Sequence, residues 1–340
     1  MKVTIKDIAR ECGVSVSAVS MALSDKPSRI SAKTKEKVLE AARKLNYQPN
    51  QAAVSLATKK SRKIGVIIND LRNPHIADIF MALDREIQAG GYLQLCHVLD
   101  DDSQGDAVKY LQRMVSNDVA GIVWGKPLEE RELEELKSYI DHLDIPVVTM
   151  GESDFACRGV DVVFDYGEAA YLATQHLVEL GHTRIGCVAG TPYFKVTEER
   201  LQGYRKALEE AGIPYDEELI FYGNYTLKSG RKSLAYLLGK KVTAIFSMND
   251  DMAFGIYESA RNYGVKIPEE LSIVGCDNVS FGNSLEVPLT TVNVSAVEVG
   301  RSVGKWIIKT IEDETLCREK RLVERYHPAL LVKGSTMRVK

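Results

Sequence analysis

The chain has 340 residues, of which 45% are hydrophobic and 27% charged; the length calls for two or three domains, and the balance excludes disordered, collagen-like and fibrous classes. No apolar run approaches the roughly 18–20 residues that cross a bilayer, and Met1–Asp7 has no apolar stretch of a secretory signal, so a cytoplasmic protein without membrane contact is expected. The formal charge of −3 hides a division: residues 1–63 carry 14 basic against 5 acidic side chains, a net +9, and the other 277 residues carry −12.

A cationic head on an anionic body points to a polyanion as the head's partner, although a solvated lysine-rich helical surface has the same composition. Six cysteines are scattered with no CxxC pair, which in a reducing compartment reads as free thiols rather than disulfides or a zinc site.

From Thr4 to Cys12 the apolar residues Ile5, Ile8, Ala9 and Cys12 recur at helical spacing, and Gly13 supplies the positive φ of a tight turn. Ser15 caps a second helix, Val16 to Ser24, with Val19, Ala22 and Leu23 on one face and Val16, Ser17, Ser20 and Met21 on the other. Ser31 caps a third, Ala32 to Leu45, which buries Val38, Leu39, Ala42 and Leu45. Two short helices joined at a glycine, with a third across them, form a helix-turn-helix unit whose second helix enters the major groove. Residues 49–60 can form a helix too short to be stable alone.

Beyond Lys63, short apolar strands alternate with amphipathic helices. Ile64–Ile68, Leu93–Val98, Gly121–Trp124 and Val147–Met150 form one group of buried strands. Ile185–Ala189, Ala244–Ser247, Ser272–Gly275 and Thr291–Val294 form a later one. Alternation of this kind makes parallel sheets covered by helices on both faces, and 277 residues suit two of them. Ligands of such sheets bind beyond the carboxyl ends of the strands. There stand Asn69-Asp70, Gly125, Gly151-Glu152, Phe164-Asp165, Gly190, Asn249-Asp250 and Asp277-Asn278, a polar edge fit for a small hydroxylated or amide-bearing ligand. Asp250 and Asp251 read as helix caps. His176 and His182, six apart with no third ligand at metal spacing, read as structural or surface residues. No dinucleotide, P-loop, HExxH or GxSxG motif occurs, so no cofactor or metal is expected and no enzyme reading gains support.

The ordered string Val3-Thr4-Ile5-Lys6-Asp7-Ile8-Ala9, Gly13-Val14-Ser15, Val19-Ser20, Ile30-Ser31, Thr34 and Leu45-Asn46-Tyr47-Gln48-Pro49-Asn50 resembles the lactose-repressor (LacI/GalR) family of bacterial transcription regulators. The likeness continues through His176-Leu177, Leu180-Gly181-His182, Arg200, Gly203-Tyr204, Asn249-Asp250, Met252-Ala253 and Val274-Gly275-x-Asp277. It implies a small all-α helix-turn-helix head over residues 1–48 and a hinge helix or linker over 49–62. Behind them it implies an α/β periplasmic-binding-protein-like core of two doubly wound parallel-sheet lobes over 63–340. The first lobe is expected at about 63–161 plus 293–321 and the second at about 162–292 plus 322–340.

By that resemblance Val16, Ser17 and Met21 face bases, and Ile5, Ser15, Ser20, Ser24, Arg29, Ser31, Thr34 and Tyr47 lie at or near the DNA backbone. Met21 departs from the family's usual arginine and offers only apolar contact, not a bidentate guanine contact. Asn50, Ala53, Val54, Leu56 and Ala57 belong to the hinge, where Leu56 is expected to wedge into a minor-groove step. In the core, the resemblance places Arg200, Asn249 and Asp277 on ligand hydroxyls or a carboxylate. Phe164 and Tyr225 would stack on its apolar face, Asp165 and Glu152 would add acceptors, and Asp70, Asn73 and Ile76 would face the cleft from the first lobe.

The function so implied is a ligand-responsive homodimeric regulator, a repressor by the family's pattern. It would act on pseudo-palindromic double-stranded operator DNA with a sugar-like small-molecule effector. A solute-binding protein for a transporter fits the body equally, but not the +9 head. A sugar-modifying enzyme would have to draw its acid and base from Glu152, Asp165 and Asp277.

Overall fold

The computed structural model describes residues 3–23, 30–48, 55, 60–99, 107–127, 130–151, 159–313, 315–316 and 321–339. They fall into two compact units, Met1–Arg62 and Lys63–Lys340.

In the first unit, α1 (Ile5–Cys12) starts where the Asp7 carboxylate accepts hydrogen bonds from the Thr4 N–H and hydroxyl, at 2.9 and 2.7 Å. It ends at Gly13, whose φ of 63° is left-handed. Nothing lies within 4 Å of a Cβ built there, so the dihedral, and not crowding, requires glycine. α2 (Val16–Ala22) and α3 (Ala32–Lys44) begin at the expected caps: Ser15 Oγ accepts from Ala18 N–H at 3.1 Å and Ser31 Oγ from Thr34 N–H at 3.2 Å.

The first unit's core is Ile8, Ala9, Cys12, Val19, Ala22, Val38, Ala41 and Ala42. Two expectations shift. α2 stops at Ala22, two residues early, and in α3 Leu39 and Leu45 are only partly buried while Ala41 is buried. Ala41 and Ala42 pack in one cluster with Ile8, Ala9 and Cys12 of α1 and Val19 and Ala22 of α2.

The second unit holds two six-stranded sheets. The first contains β1 (Lys63–Ile68), β2 (Leu93–Val98), β3 (Gly121–Gly125), β4 (Val147–Gly151), β5 (Gly159–Phe164) and β11 (Arg321–Tyr326), in the order β11-β5-β4-β3-β1-β2. The second contains β6 (Ile185–Ala189), β7 (Ile220–Tyr222), β8 (Ala244–Ser247), β9 (Ser272–Cys276), β10 (Thr290–Asn293) and β12 (Ala329–Leu331), in the order β12-β10-β9-β8-β6-β7. All pairings are parallel except β10 with β12, and the central strands are buried throughout, as strands covered on both faces must be. Both sheets therefore repeat one strand order, each with its switch point beside its first strand.

Between the strands run α4 (Pro74–Ala89), α5 (Ala107–Ser116), α6 (Glu130–Ile140), α7 (Tyr166–Glu179), α8 (Lys195–Glu210), α9 (Leu227–Gly239), α10 (Asp250–Tyr263) and α11 (Ala296–Glu312). α11, unmarked in the sequence reading, packs along α4 and buries Val299, Val303 and Ile307.

The expected lobe limits at 161 and 321 each cut a strand. β5 continues in the first sheet through Phe164, and β11, from Arg321 to Tyr326, pairs with it residue for residue. Backbone pairing, rather than apolar content, sets those limits, so the chain crosses between lobes after Phe164, after Asn293 and after Tyr326. Leu93–Val98 was expected to be buried but is an edge strand, with Leu93 68% and Val98 45% exposed. His182 is buried between Thr243 Oγ1 at 2.9 Å and the Met337 carbonyl at 3.1 Å, and His176 meets Thr336 Oγ1 at 3.0 Å. Both histidines fasten the chain's last residues. Cys12, Cys96, Cys187 and Cys276 are free thiols. Among the described residues no helix is long and apolar enough to cross a membrane.

Candidate functional site

Among the described residues of the first unit, α2 presents an exposed face of mixed polarity. Val16, Ser17, Ser20 and Met21 all point outward from α2, with Val16 41% and Met21 42% exposed, while Val19 and Ala22 hold the helix down. Ser15 and Ser17 hydroxyls lie 2.9 Å apart at its start, and Ser31 and Thr34 hydroxyls 2.9 Å apart at the start of α3. Ile5 and Tyr47 are half-buried against the core, so each offers only part of its side chain to a partner. Lys6, Lys33, Lys35 and Arg43 are exposed without an ion-pair partner among the described residues, and the sequence reading did not single them out. Lys44, by contrast, meets Glu11 at 2.9 Å. Ser24, Arg29, Asn50, Ala53, Val54, Leu56 and Ala57 lie outside the described residues, as does Glu152 of the core.

In the core, Arg200 enters from α8 and is 5% exposed. Its guanidinium lies 4.7 Å from the Tyr166 ring centroid and 5.6 Å from that of Tyr225, with Nη2 3.9 Å from Asp277 Oδ1. Arg200 Nε has no hydrogen-bond partner. The Tyr225 ring occupies the space above Gly190, where a Cβ would come within 1.9 Å of it, so glycine there is required by close approach. Tyr225 hydroxyl meets Thr197 Oγ1 at 2.8 Å, and its carbonyl accepts from Asn249 Nδ2 at 2.9 Å.

Asn249 is thereby committed on both sides, because its Oδ1 also caps α10 through Met252 N–H at 3.0 Å. It holds Tyr225 in place. Asp250 is not the cap expected of it: wholly buried, it accepts from Thr291 Oγ1 at 2.7 Å and Val279 N–H at 2.8 Å, tying α10 to β10. The sequence could not show that β10 would pass within reach. Burial pushes the Asp277 carboxyl well above the usual range, with the Arg200 charge pulling it partly back, and burial raises Asp250 likewise.

The first lobe contributes less than expected. Asp70 accepts from Arg72 Nε at 2.7 Å and Arg72 N–H at 2.9 Å, which holds its carboxyl below its ordinary value. Asn73 caps α4 through His75 N–H at 2.9 Å, and Ile76 packs against the core. His75 is the residue missed. It is 7% exposed, its Nδ1 has no partner, and burial together with the Arg200 charge lowers its pKa to about 4. A lone histidine in the apolar first turn of α4, just past a strand's carboxyl end, was the available signal. Phe164, 5% exposed, lies 6.1 Å from His75 and 5.5 Å from Tyr166, ring to ring.

Asp165 caps α7 through Glu168 N–H at 2.9 Å and lines a different hollow of about 680 Å³, with Glu199, Lys206 and Arg325. The structure thus brings Phe164, Tyr225, Asn249, Asp277 and Arg200 together, adds His75 and Tyr166, and leaves Asp70, Asn73 and Asp165 engaged locally. Asn69 Oδ1, at the end of β1, is a further buried acceptor without a partner.

Residues 4–50 match the family profile of bacterial regulatory proteins of the lacI family, and residues 174–336 match a periplasmic binding protein-like domain. The HTH-type transcriptional regulator DegA of Bacillus subtilis (strain 168) is 31% identical over 337 residues, 99% of this chain and 98% of that one. The chain belongs to the lacI family. It is a DNA-binding transcription regulator with an effector-binding core, and the relatives it matches are regulators, not enzymes. Catabolite control protein A of Priestia megaterium is 32% identical over 93% of this chain and 95% of its own length. In fold, the chain superposes with a TM-score of 0.88 on a Lac repressor dimer bound to operator and the anti-inducer ONPF, at 24% identity over 99% of this chain and 100% of that one. A complex of the regulator CelR with cellobiose, 26% identical, matches with a TM-score of 0.72 over 98% of this chain and 100% of that one.

Proposed function

We propose that the protein is a repressor that works as a homodimer in the cytoplasm, one head on each half of a pseudo-palindromic operator, with a sugar or sugar derivative bound between the core lobes as effector. The observation that carries the effector reading is the set of buried, unpartnered polar atoms at the carboxyl ends of the strands: Asn69 Oδ1 and His75 Nδ1 from the first lobe, Arg200 Nε from the second. A buried donor or acceptor left unmade costs about 1–3 kcal/mol, so a ligand that meets all three gains in the closed cleft what it cannot gain in the open one. Bridging both lobes, it shifts the equilibrium between them through the three crossovers, one of which passes through Ser295 at a φ of 53°.

The two half-buried or exposed edges support self-association. Met81, Leu93 and Val98 are 50%, 68% and 45% exposed on the first lobe, and Tyr222 is 50% exposed on the second. The Lac repressor match is itself a dimer on its operator. Val16, Ser17 and Met21 would read the half-site by apolar and hydroxyl contacts, the serines and Thr34 would meet phosphates, and Leu56 would wedge the hinge into the minor groove.

The test is selection of duplexes from random DNA with the purified full chain, followed by a thermal-shift screen of ribose, cellobiose, other sugars and nucleobases. A palindromic duplex released or tightened by a sugar is expected. Recovery of no palindrome, or a response confined to nucleobases, overturns the corresponding half of the reading.

A further inference from the structure

A half-open cavity of about 240 Å³ lies between the lobes, where α4, the end of β9 and the start of α11 meet. That is smaller than the 300–1,000 Å³ typical of whole drug-sized ligands and suits one end of a molecule. Its lining holds three carboxylates, Asp78, Asp277 and Glu298, and neither lysine nor arginine. Asp78 and Glu298 have no hydrogen-bond or ion-pair partner among the described residues, and Asp277 has Arg200, at 3.9 Å, and the Asp250 backbone N–H. Two lining carboxamides already use their oxygens, Asn293 on Ser295 N–H at 3.0 Å and Asn278 on Lys333 Nζ at 3.2 Å.

The independent sign of a ligand is His75, which lines the cavity nine-tenths buried with an unpartnered Nδ1. Its imidazole is neutral, so one tautomer offers that nitrogen as an acceptor. The start of α11, whose cap Ser295 makes no side-chain bond, would favour an anion, but Glu298 in its first turn already answers that field. The charged side chains of the lining are therefore all acceptors, and an ammonium group carries three donors and the opposite charge.

We propose that the effector bears a protonated amine, seated in this cavity against Asp78, Asp277, Glu298 and His75, with its hydroxyls toward Arg200: an amino sugar or similar amine-bearing polyol. The proposal rests on the reading of the cleft as the effector site and names the class of compound that site takes. A neutral glycol fills the same space without the charge, and a carboxylate would face three others.

The experiment uses the full chain labelled at histidine, with the His75 imidazole signals assigned by their loss in His75→Gln. Three probes of matched size are titrated by NMR: ethanolamine, ethylene glycol and glycolate. A saturable, low-millimolar shift of His75 with ethanolamine alone is expected, weakened at least ten-fold in the Asp78→Asn/Glu298→Gln double variant. No saturable shift with ethanolamine, an equal shift with ethylene glycol or glycolate, or an undiminished shift in the double variant overturns it. Operator affinity, measured on the same samples, and the sugar screen above are independent of this result, so a failed amine leaves the regulator reading to its own test.

Discussion

The head and the core carry their chemistry in opposite ways. The head displays it: exposed side chains on α2 and the start of α3, over a core of eight residues with four alanines and a cysteine. The core conceals it: an arginine sandwiched between tyrosines, a neutral histidine and a raised carboxyl, none more than 7% exposed. Exposed readers need only be held at the right spacing, which caps and a turn provide. Buried polar groups carry an energetic cost until a partner arrives, and that cost is what couples ligand to shape. Each prediction strains one side of this contrast.

The largest effect is expected at Arg200. Replacing it by alanine removes charge-assisted hydrogen bonds of about 1.5–3 kcal/mol, roughly ten- to hundred-fold in affinity for any effector found by the screen. Calorimetry of effector binding checks the loss, and anisotropy with labelled operator should show the ligand-free affinity unchanged. A parallel loss of operator binding would mean that the head and core are not separable in this way.

Asp277 tests the cost of concealment through pH. Its folded-state pKa is raised above the unfolded value, so the folded protein holds the proton more tightly. The stability this contributes is complete at low pH and is lost as pH rises through the folded value. His75 runs the other way: lowered to about 4 from 6.5, it adds stability as pH rises to about 6.5 and nothing beyond. Above pH 6.5 the His75 slope is gone and those of Asp277 and Asp250, both raised by burial, remain, at up to about 1.4 kcal/mol per pH unit for each group. Urea unfolding of the ligand-free chain should show stability falling there, and Asp277→Asn should reduce the slope, leaving the share of Asp250. A wild-type slope unchanged in the variant would remove Asp277 from that role.

How much of this was legible in the sequence follows the same contrast. The head's helices, caps and outward face could be read because apolar spacing and Ser-initiated turns act over three or four residues. The alternating strands of the core were equally plain. α11 was not marked, because its inward face is met by elements far back in the chain, α4 and the strands β3, β4 and β5, and β7 and β12 are three residues long, too short for any period to register. β11, Arg-Leu-Val-Glu-Arg-Tyr, has neither an apolar run nor a clean alternation and reads as nothing in particular until β5 lies beside it. In the site, Arg200 and Asp277 were foreseen through the family resemblance, but whether a polar side chain is free cannot be read along the chain. Asp70, Asn73 and Asp165 are occupied by neighbours two or three residues away, while His75, unremarked, is left open.

The head's exposed cations make a smaller, cleaner test. Operator affinity should fall with salt at a slope near 0.9 per phosphate neutralised, and Lys33→Ala should weaken binding evenly across sequences while reducing that slope by about one per head. Anisotropy between about 50 and 200 mM salt measures it. A change in sequence preference rather than slope would place Lys33 at base edges. A slope unchanged in Lys33→Ala and in Lys35→Ala would move the DNA-facing surface away from the start of α3.

The smallest effect expected is at Ser15. Its hydroxyl oxygen takes the Ala18 N–H, one of the donors that seven-residue α2 cannot satisfy internally. Ser15→Ala should cost the head about 1 kcal/mol, and Ser15→Asp, which keeps the acceptor, should restore most of it. Hydrogen exchange at the α2 amides reads this locally, without requiring the core to unfold. Because Ser15 is also expected at the DNA backbone, Asp at 15 separates its two roles: helix protection should return while operator affinity falls, since the new carboxylate would sit against phosphate. If both recover together, the serine serves the operator only by holding α2 in shape.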